Sequence, residues 1–110
     1  MGKVMFKEPY LECQDGWKKL IDPLIETCRL ADVEIRQIKE KFGGLRFYVG
    51  VGGSVDLHNA IDAAERQSYK VCEYCGEDGS PRWDLSWVKT LCDTHYAAVV
   101  AELDGLGDSE

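Results

Sequence analysis

Three cysteines and one histidine stand at spacings that suit a metal ion. Two residues separate Cys72 from Cys75, and two more separate Cys92 from His95. This spacing lets both side chains of one tight turn reach the same ion, and two such pairs supply the four ligands of tetrahedral Zn²⁺. Gly76 permits the left-handed turn that closes the first pair. The sequence therefore predicts one zinc ion per chain, held by Cys72, Cys75, Cys92 and His95.

The predicted site is of the structural kind. Four protein ligands leave no coordination position for water or substrate, so we expect a protein that is not an enzyme. A redox-active C-x-x-C pair is the alternative, but it would leave Cys92 and His95 unexplained. The other two cysteines, Cys13 and Cys28, are predicted to be plain buried thiols.

The residues around the four ligands predict a small zinc-finger module over residues 72–103. Gly79-Ser80-Pro81 favours a turn, and Arg82–Leu91 a short strand pair that contains Trp83 and Trp87. His95–Leu103 favours a helix that carries the second ligand pair in its first turn. This order of knuckle, hairpin and helix resembles a treble-clef zinc finger.

Treble clefs also occur in HNH-type nucleases, so a degenerate HNH-like nuclease is one alternative function. Such nucleases need a general-base histidine near the finger. His58 is the only other histidine in the chain, and it stands on a predicted helix before the finger, where we expect it to be a surface residue.

Residues 1–71 predict an α+β core that consists of a helix, a β-hairpin and a second helix. The first helix spans 15–31, with Pro23 either inside it or at its first position after a cap at Asp22. The second spans 54–69, with Ser54 as its N-cap. Residues 104–110 are predicted to be a disordered acidic tail. The residues expected to face the core are Trp17, Leu20, Ile21, Leu24, Ile25 and Cys28 in the first helix and Leu57, Ile61, Ala64 and Ser68 in the second.

The hairpin is predicted over residues 33–51, with Gly43-Gly44 as its two-residue turn. Lys41 then lies opposite Arg46, and the early residues Val33 and Ile35 need a bulge or a different early pairing to reach the core face. The inner face is expected to hold Ile38, Phe42, Leu45, Phe47, Val49 and Val51, and the outer face Lys39, Lys41, Arg46 and Tyr48.

The outer face of this hairpin is a candidate contact surface. Its cations could bind phosphates or an acidic protein surface, or could merely keep the strands soluble. For Trp83 and Trp87 we consider two alternatives: one indole lies in the core while the other is an exposed anchor, or both pack within the finger. The candidate partner-binding residues are Lys39, Lys41, Arg46, Tyr48, Trp83 and Trp87.

The net charge of −7 is unevenly distributed. Residues 1–53 carry nine Lys/Arg and eight Asp/Glu, a balance of +1, whereas residues 54–110 carry four and twelve, a balance of −8. An acidic half is a poor match for a phosphate backbone and suits a basic protein partner, or it simply maintains solubility. With 45% apolar residues, no membrane-length apolar run and no secretory signal at the start, we expect a folded protein in the cytoplasm, where thiols stay reduced.

Three motifs carry a family resemblance. Lys41-Phe-Gly-Gly-Leu-Arg-Phe-Tyr48, Cys72-x2-Cys75-Gly76 and Leu91-Cys92-Asp-x-His95 look like a set of small uncharacterised proteins encoded by phages and prophages. The resemblance covers roughly residues 15–97, and it implies a genomic context and a metal site but no activity. By analogy, small acidic phage proteins without catalytic groups resemble inhibitors of host defence, including anti-CRISPR proteins.

The sequence thus leads to one main hypothesis and two alternatives. The main hypothesis is a non-enzymatic, zinc-stabilised protein that binds a host nucleic-acid-handling complex and inhibits it. The alternatives are direct binding of nucleic acid through the basic hairpin face and the HNH-like nuclease. The oligomeric state is left open.

Overall fold

The computed structural model describes residues 4–107. The first helix, α1, spans Lys18–Ala31 and follows a 3-10 turn at Asp15–Trp17. Pro23 lies inside α1, where it removes one backbone donor at a cost of about 3 kcal/mol. Burial of the apolar face offsets that cost, because each buried aliphatic side chain contributes roughly 1.5–3 kcal/mol. The expected stripe is confirmed: Trp17, Ile21, Leu24 and Cys28 are buried, and Leu20 and Ile25 pack against them.

A three-stranded sheet packs with α1. Strand β1, Leu11–Glu12, pairs in parallel with β2, Ile35–Lys41, which pairs antiparallel with β3, Gly44–Val49. The sequence offered no signal for β1, because two residues are too few to show an alternating pattern.

The hairpin turn between β2 and β3 lies one residue earlier than predicted. Phe42 and Gly43 occupy it with φ of 55° and 83°, so Lys41 pairs with Gly44, and Arg46 lies opposite Lys39 rather than Lys41. Phe42 is therefore 67% exposed and not on the inner face. The reason is Gly44, where a Cβ would overlap the ring of Tyr69, so this glycine serves close packing rather than the turn.

The predicted bulge at the start of the hairpin is confirmed. The register shifts between Ile35 and Gln37, which turns Ile35 toward the core opposite Val49. Ile38, Leu45 and Phe47 are buried as expected. Val51 was predicted to share this face, but it lies beyond the end of β3 and is 90% exposed.

Helix α2, Val55–Ser68, lies along the free edge of β3. Ser54 caps it as predicted, because the Ser54 hydroxyl accepts a hydrogen bond from the Leu57 amide. The inner stripe of α2 is also confirmed. At the other end, Ser68 and Glu65 accept hydrogen bonds from the amides of Leu45 and Phe47, each at 2.9 Å. The buried residues of α2 are Leu57, Ile61, Ala64 and Ser68.

The finger contains two short strands and a helix. Strand β4, Ser80–Pro81, pairs antiparallel with β5, Thr90–Leu91, and helix α3 spans Asp93–Gly107. The predicted helix end at residue 103 falls inside α3. Gly105 and Gly107 each cost about 1 kcal/mol in a helix, but the helix continues through them because its earlier turns are already formed. Residues 108–110 of the predicted tail lie outside the described residues.

Hydrogen bonds join the finger to the core. The Gly16 amide donates to the carbonyl of Glu73 at 2.6 Å, and the Trp17 indole N–H donates to the carbonyl of Val71 at 2.9 Å. On the other side, the Thr90 hydroxyl donates to the carbonyl of Gly43 at 2.7 Å. The α+β architecture is confirmed. None of the described helices is long and apolar enough to cross a membrane.

Candidate metal centre

The first ligand pair lies on a closed turn. The Gly76 amide donates to the carbonyl of Cys72 at 2.9 Å, and the Cys72 amide donates to the carbonyl of Glu77 at 2.7 Å. Gly76 has a φ of 83°, a value that costs a residue with a Cβ about 1–2 kcal/mol. These bonds point the Cys72 and Cys75 side chains to the same side of the turn, as the sequence predicts.

The second ligand pair lies at the start of α3. Cys92 follows β5 directly, and His95 stands in the first turn of the helix. The His95 amide donates to the Cys92 sulfur at 3.4 Å, and the Tyr96 amide donates to the carbonyl of Cys92. The helix start therefore fixes the spacing between the two ligand atoms.

The four ligand atoms form one close group. All lie within 4.8 Å of one another. Cys75 Sγ is 3.8 Å from Cys92 Sγ, and His95 Nδ1 is 3.7 Å from Cys72 Sγ and 3.3 Å from Cys92 Sγ. A tetrahedral ion with zinc bond lengths would place two sulfurs about 3.8 Å apart and a sulfur and a nitrogen about 3.6 Å apart. The four side chains can thus hold one metal ion, consistent with a structural zinc.

The electrostatics of the cluster favour a bound cation. Burial raises the pKa of Cys72, but hydrogen bonds from the backbone of Cys92, Cys75 and Tyr74 outweigh it and lower that pKa to about 7. At Cys75 the Glu77 backbone lowers the pKa, but desolvation and the neighbouring thiols raise it on balance. Crowded thiols resist ionising together, and a metal ion removes that resistance because a coordinated thiol deprotonates.

Arg82 supports the second ligand pair. Its guanidinium donates two hydrogen bonds to the carbonyl of Leu91, at 2.9 and 3.1 Å, and one to the Asp93 carboxylate at 2.9 Å. It also lies 4.5 Å above the ring of Tyr96, whose hydroxyl donates to Asp84. Arg82 thus fixes both sides of Cys92, a role the sequence analysis missed because nothing local distinguishes it from a surface arginine.

Glu73, between the two knuckle cysteines, is a second residue that sequence reasoning missed. Its side chain is buried, with Oε2 accepting from the Gln14 amide at 3.1 Å and Oε1 lying 3.6 Å from the ammonium of Lys89. The pKa of Glu73 is raised, chiefly because its carboxyl group is buried and also because Glu40 lies nearby. The Lys89 ammonium and the Gln14 amide lower this pKa but do not cancel the rise. Its backbone also bonds to Gly16 and Thr90, so the knuckle is anchored at the residue between its two ligands.

The predicted basic face is divided by the structure. Arg46 turns toward α2, where its guanidinium donates to the Tyr69 hydroxyl at 3.2 Å and to the carbonyl of Leu45 at 3.1 Å. Lys39 and Lys41 instead line a cleft beside the finger, and Tyr48 is exposed. The hydrogen bond to Tyr69 raises the pKa of Arg46. The Arg46 guanidinium therefore contacts the protein's own groups and is not a free cation on the outer face of the hairpin.

The remaining candidate residues lie outside the cluster. Trp83 and Trp87 were predicted on a strand pair, but they lie in the loop between β4 and β5 and are each 71% exposed. Neither indole packs in a core, so both alternatives for these residues are wrong. A ring nitrogen of His58, an exposed residue, lies 3.1 Å from the carbonyl of Gly52. Cys28 is buried as predicted, whereas Cys13 is only partly so, and burial is the main cause that raises the pKa of both thiols, for Cys13 to about 11.

The chain matches no family model, no curated protein sequence and no solved structure.

Proposed function

We propose that this chain is a non-enzymatic binding protein whose finger is held together by one structural zinc ion. The observation that carries the proposal is the close cluster of ligand atoms from Cys72, Cys75, Cys92 and His95. Three sulfurs and one nitrogen complete the coordination of zinc and leave no position for water or substrate. The metal then contributes to folding rather than to chemistry.

Apart from its hydrogen bonds to the core, the finger has little else to stabilise it. Each of its strands is two residues long, and its buried apolar cluster consists of Cys72, Leu85 and Leu91, with five partly buried side chains packed against them. So small a cluster supplies only a few kcal/mol, whereas structural zinc contributes about 10 kcal/mol or more in zinc-finger peptides. We therefore expect the finger to fold only when metal is bound.

Binding of a partner is the role that such a finger would serve. It presents two exposed indoles, and tryptophan is among the side chains that contribute most to protein interfaces. The chain has a net charge of −7, which opposes association with a nucleic-acid backbone and supports a protein partner. Inhibition of a host nucleic-acid-handling complex in the bacterial cytoplasm is the role we propose for it, by analogy with phage inhibitors.

Nucleic-acid binding remains the second candidate, because Lys39 and Lys41 lie beside exposed aromatic rings. Aromatic stacking combined with cations is the usual arrangement in proteins that bind single strands.

Metal analysis of the purified protein tests the proposal. We expect about one zinc per chain, and we expect a strong chelator to unfold residues 72–103. Cys75→Ser removes an exposed ligand and should abolish both the zinc and the folded finger, whereas Cys13→Ala, which removes a thiol outside the cluster, should retain both. Zinc-free protein with an intact finger, or loss of zinc in both variants, would contradict the structural role.

A further inference from the structure

The space between the hairpin turn and the finger forms a cleft. Its volume is about 480 Å³, enough for one or two side chains of a partner. The hairpin contributes one wall and the loop between β4 and β5 the other. The lining residues are Lys39, Glu40, Lys41, Phe42, Ser86, Trp87 and Val88.

Two aromatic rings stand at this cleft without being used by the core. Phe42 is 67% exposed and Trp87 is 71% exposed. The indole N–H of Trp87 donates one long hydrogen bond, at 3.4 Å, to Glu40 Oε1 at the exposed surface. An exposed aromatic side chain is suited to binding, since it offers a large apolar surface and has few rotatable bonds to restrict.

The backbone at Phe42 supports a role beyond folding. Its φ of 55° lies in the left-handed region, where asparagine or glycine is the ordinary choice for such a turn. A phenyl ring contributes little to the fold there, because most of it faces solvent. Residues kept in costly backbone conformations cluster at ligand-binding positions.

The charges at the cleft select the ligand. Lys39 and Lys41 form no ion pair with any carboxylate in the described part of the chain, and the Lys41 ammonium lies 5.7 Å from the centre of the Phe42 ring. Glu40 lies between them, with its carboxylate bound to the Gly43 amide at 2.8 Å and to Trp87. An anion inside the cleft would be repelled by this carboxylate, whereas an uncharged apolar side chain would not, so the anionic groups of a ligand belong at the rim beside the lysines.

We propose that the cleft binds a short peptide segment of a partner protein, in which an apolar side chain is flanked by aspartate or glutamate. The apolar side chain lies between Phe42 and Trp87, and the flanking carboxylates pair with Lys39 and Lys41 at the rim. This inference rests on the proposed function, since it names the partner chemistry of a zinc-stabilised binding protein.

Defined peptides test the proposal on the zinc-loaded full chain. The acidic probe is Asp-Glu-Phe-Leu-Asp-Glu, the basic probe is Lys-Lys-Phe-Leu-Lys-Lys, and an oligothymidylate represents single-stranded nucleic acid. Binding is followed by indole fluorescence in a Trp83→Phe background, where the remaining indoles are Trp87 and the buried Trp17. We expect the acidic peptide to bind, with an affinity that falls as salt rises, and neither of the other probes to bind.

Matched variants locate the binding. Joint replacement of Lys39 and Lys41 by glutamate should weaken binding of the acidic peptide about tenfold or more, whereas the same replacement of the exposed α1 residues Lys18 and Lys19 should change it less than about twofold. Phe42→Asn removes the ring, suits the turn, and should also weaken binding about tenfold.

Each other outcome overturns the inference. Equal binding of the basic peptide, tighter binding of oligothymidylate, unchanged affinity in the Phe42→Asn variant, or binding by no probe would each exclude an acidic peptide site at this cleft. Zinc content measured on the same samples separates the two proposals. Protein that holds zinc but fails these tests contradicts only the inference, whereas protein that holds no zinc contradicts the proposed function.

Discussion

Replacing Phe42 by glycine and by alanine tests the hairpin turn directly. Phe42 adopts a φ of 55°, and both replacements remove the same ring, so both lose the same contacts of its buried third. The two variants then differ only in whether position 42 carries a Cβ. We expect the glycine variant to be the more stable of the two.

The expected difference follows from two opposing terms. A residue with a Cβ in the left-handed region costs about 1–2 kcal/mol, which glycine avoids. Glycine in turn loses more conformational freedom on folding, at a cost of about 0.5–1 kcal/mol relative to alanine. The free energy of unfolding should therefore be higher for Phe42→Gly by roughly 0.5–1 kcal/mol. In the interior of α2, at the exposed Asp62, the same pair should show the opposite order, with alanine favoured by about 1 kcal/mol.

Urea unfolding of the zinc-loaded variants, followed by circular dichroism, measures these differences in the free energy of unfolding. The comparison requires that the glycine and alanine variants at positions 42 and 62 all share one denaturant slope. The reasoning is refuted if alanine equals or exceeds glycine at position 42. That result is expected of the other hairpin register, in which Gly43 and Gly44 form the turn and Phe42 lies in a strand facing the core. In that case both variants would also lose about 3 kcal/mol or more from the vacated core position.

The other predictions concern the join between finger and core, a thiol, and the support of the second ligand pair. In Gly16→Ala the new Cβ would overlap backbone oxygens of the knuckle, so we expect a loss of several kcal/mol in urea unfolding, whereas Gly50→Ala, which meets only a movable side chain, should lose less than about 1 kcal/mol. Burial above all raises the pKa of Cys13 to about 11, so the folded state holds this proton where the unfolded thiol has lost it. The contribution of this thiol to stability is thus complete below about pH 8.5 and is lost as the pH rises toward 11. After allowance for its partial exposure, Cys13→Ala should reduce the fall in the free energy of unfolding between pH 8 and 10 by up to about 1 kcal/mol. An unchanged pH profile of stability in this variant would contradict the reasoning. Arg82→Lys keeps the charge but not the forked donation to the carbonyl beside Cys92, and should weaken zinc retention against a chelator about tenfold or more; equal retention would contradict the supporting role.

The parts of the fold that follow from local spacing are the parts that sequence reasoning predicted. The stripes of α1 and α2 repeat at the helical period, and burial of one face follows from that period alone. The cluster of Cys72, Cys75, Cys92 and His95 follows from two residue pairs of fixed spacing. Ser54 is identified as a cap by its type and its position before an apolar stripe.

The parts that were wrong or missed depend on residues distant in sequence. Whether Gly43-Gly44 or Phe42-Gly43 forms the turn is decided by the ring of Tyr69, which contacts Gly44 from the end of α2. Burial of Glu73 depends on an amide from the N-terminal segment and on Lys89. An aromatic residue in a loop gives no sign of its exposure, so Trp83 and Trp87 could not be assigned to surface or core from composition.

The way α2 lies along β3 has a consequence for assembly. The outward amides of Leu45 and Phe47 are already occupied by Ser68 and Glu65, so this margin of the sheet offers no ladder for an incoming strand. The opposite margin is β1, which is only two residues long. Fibril-like growth and recognition by strand addition are therefore both disfavoured at these two margins of the sheet.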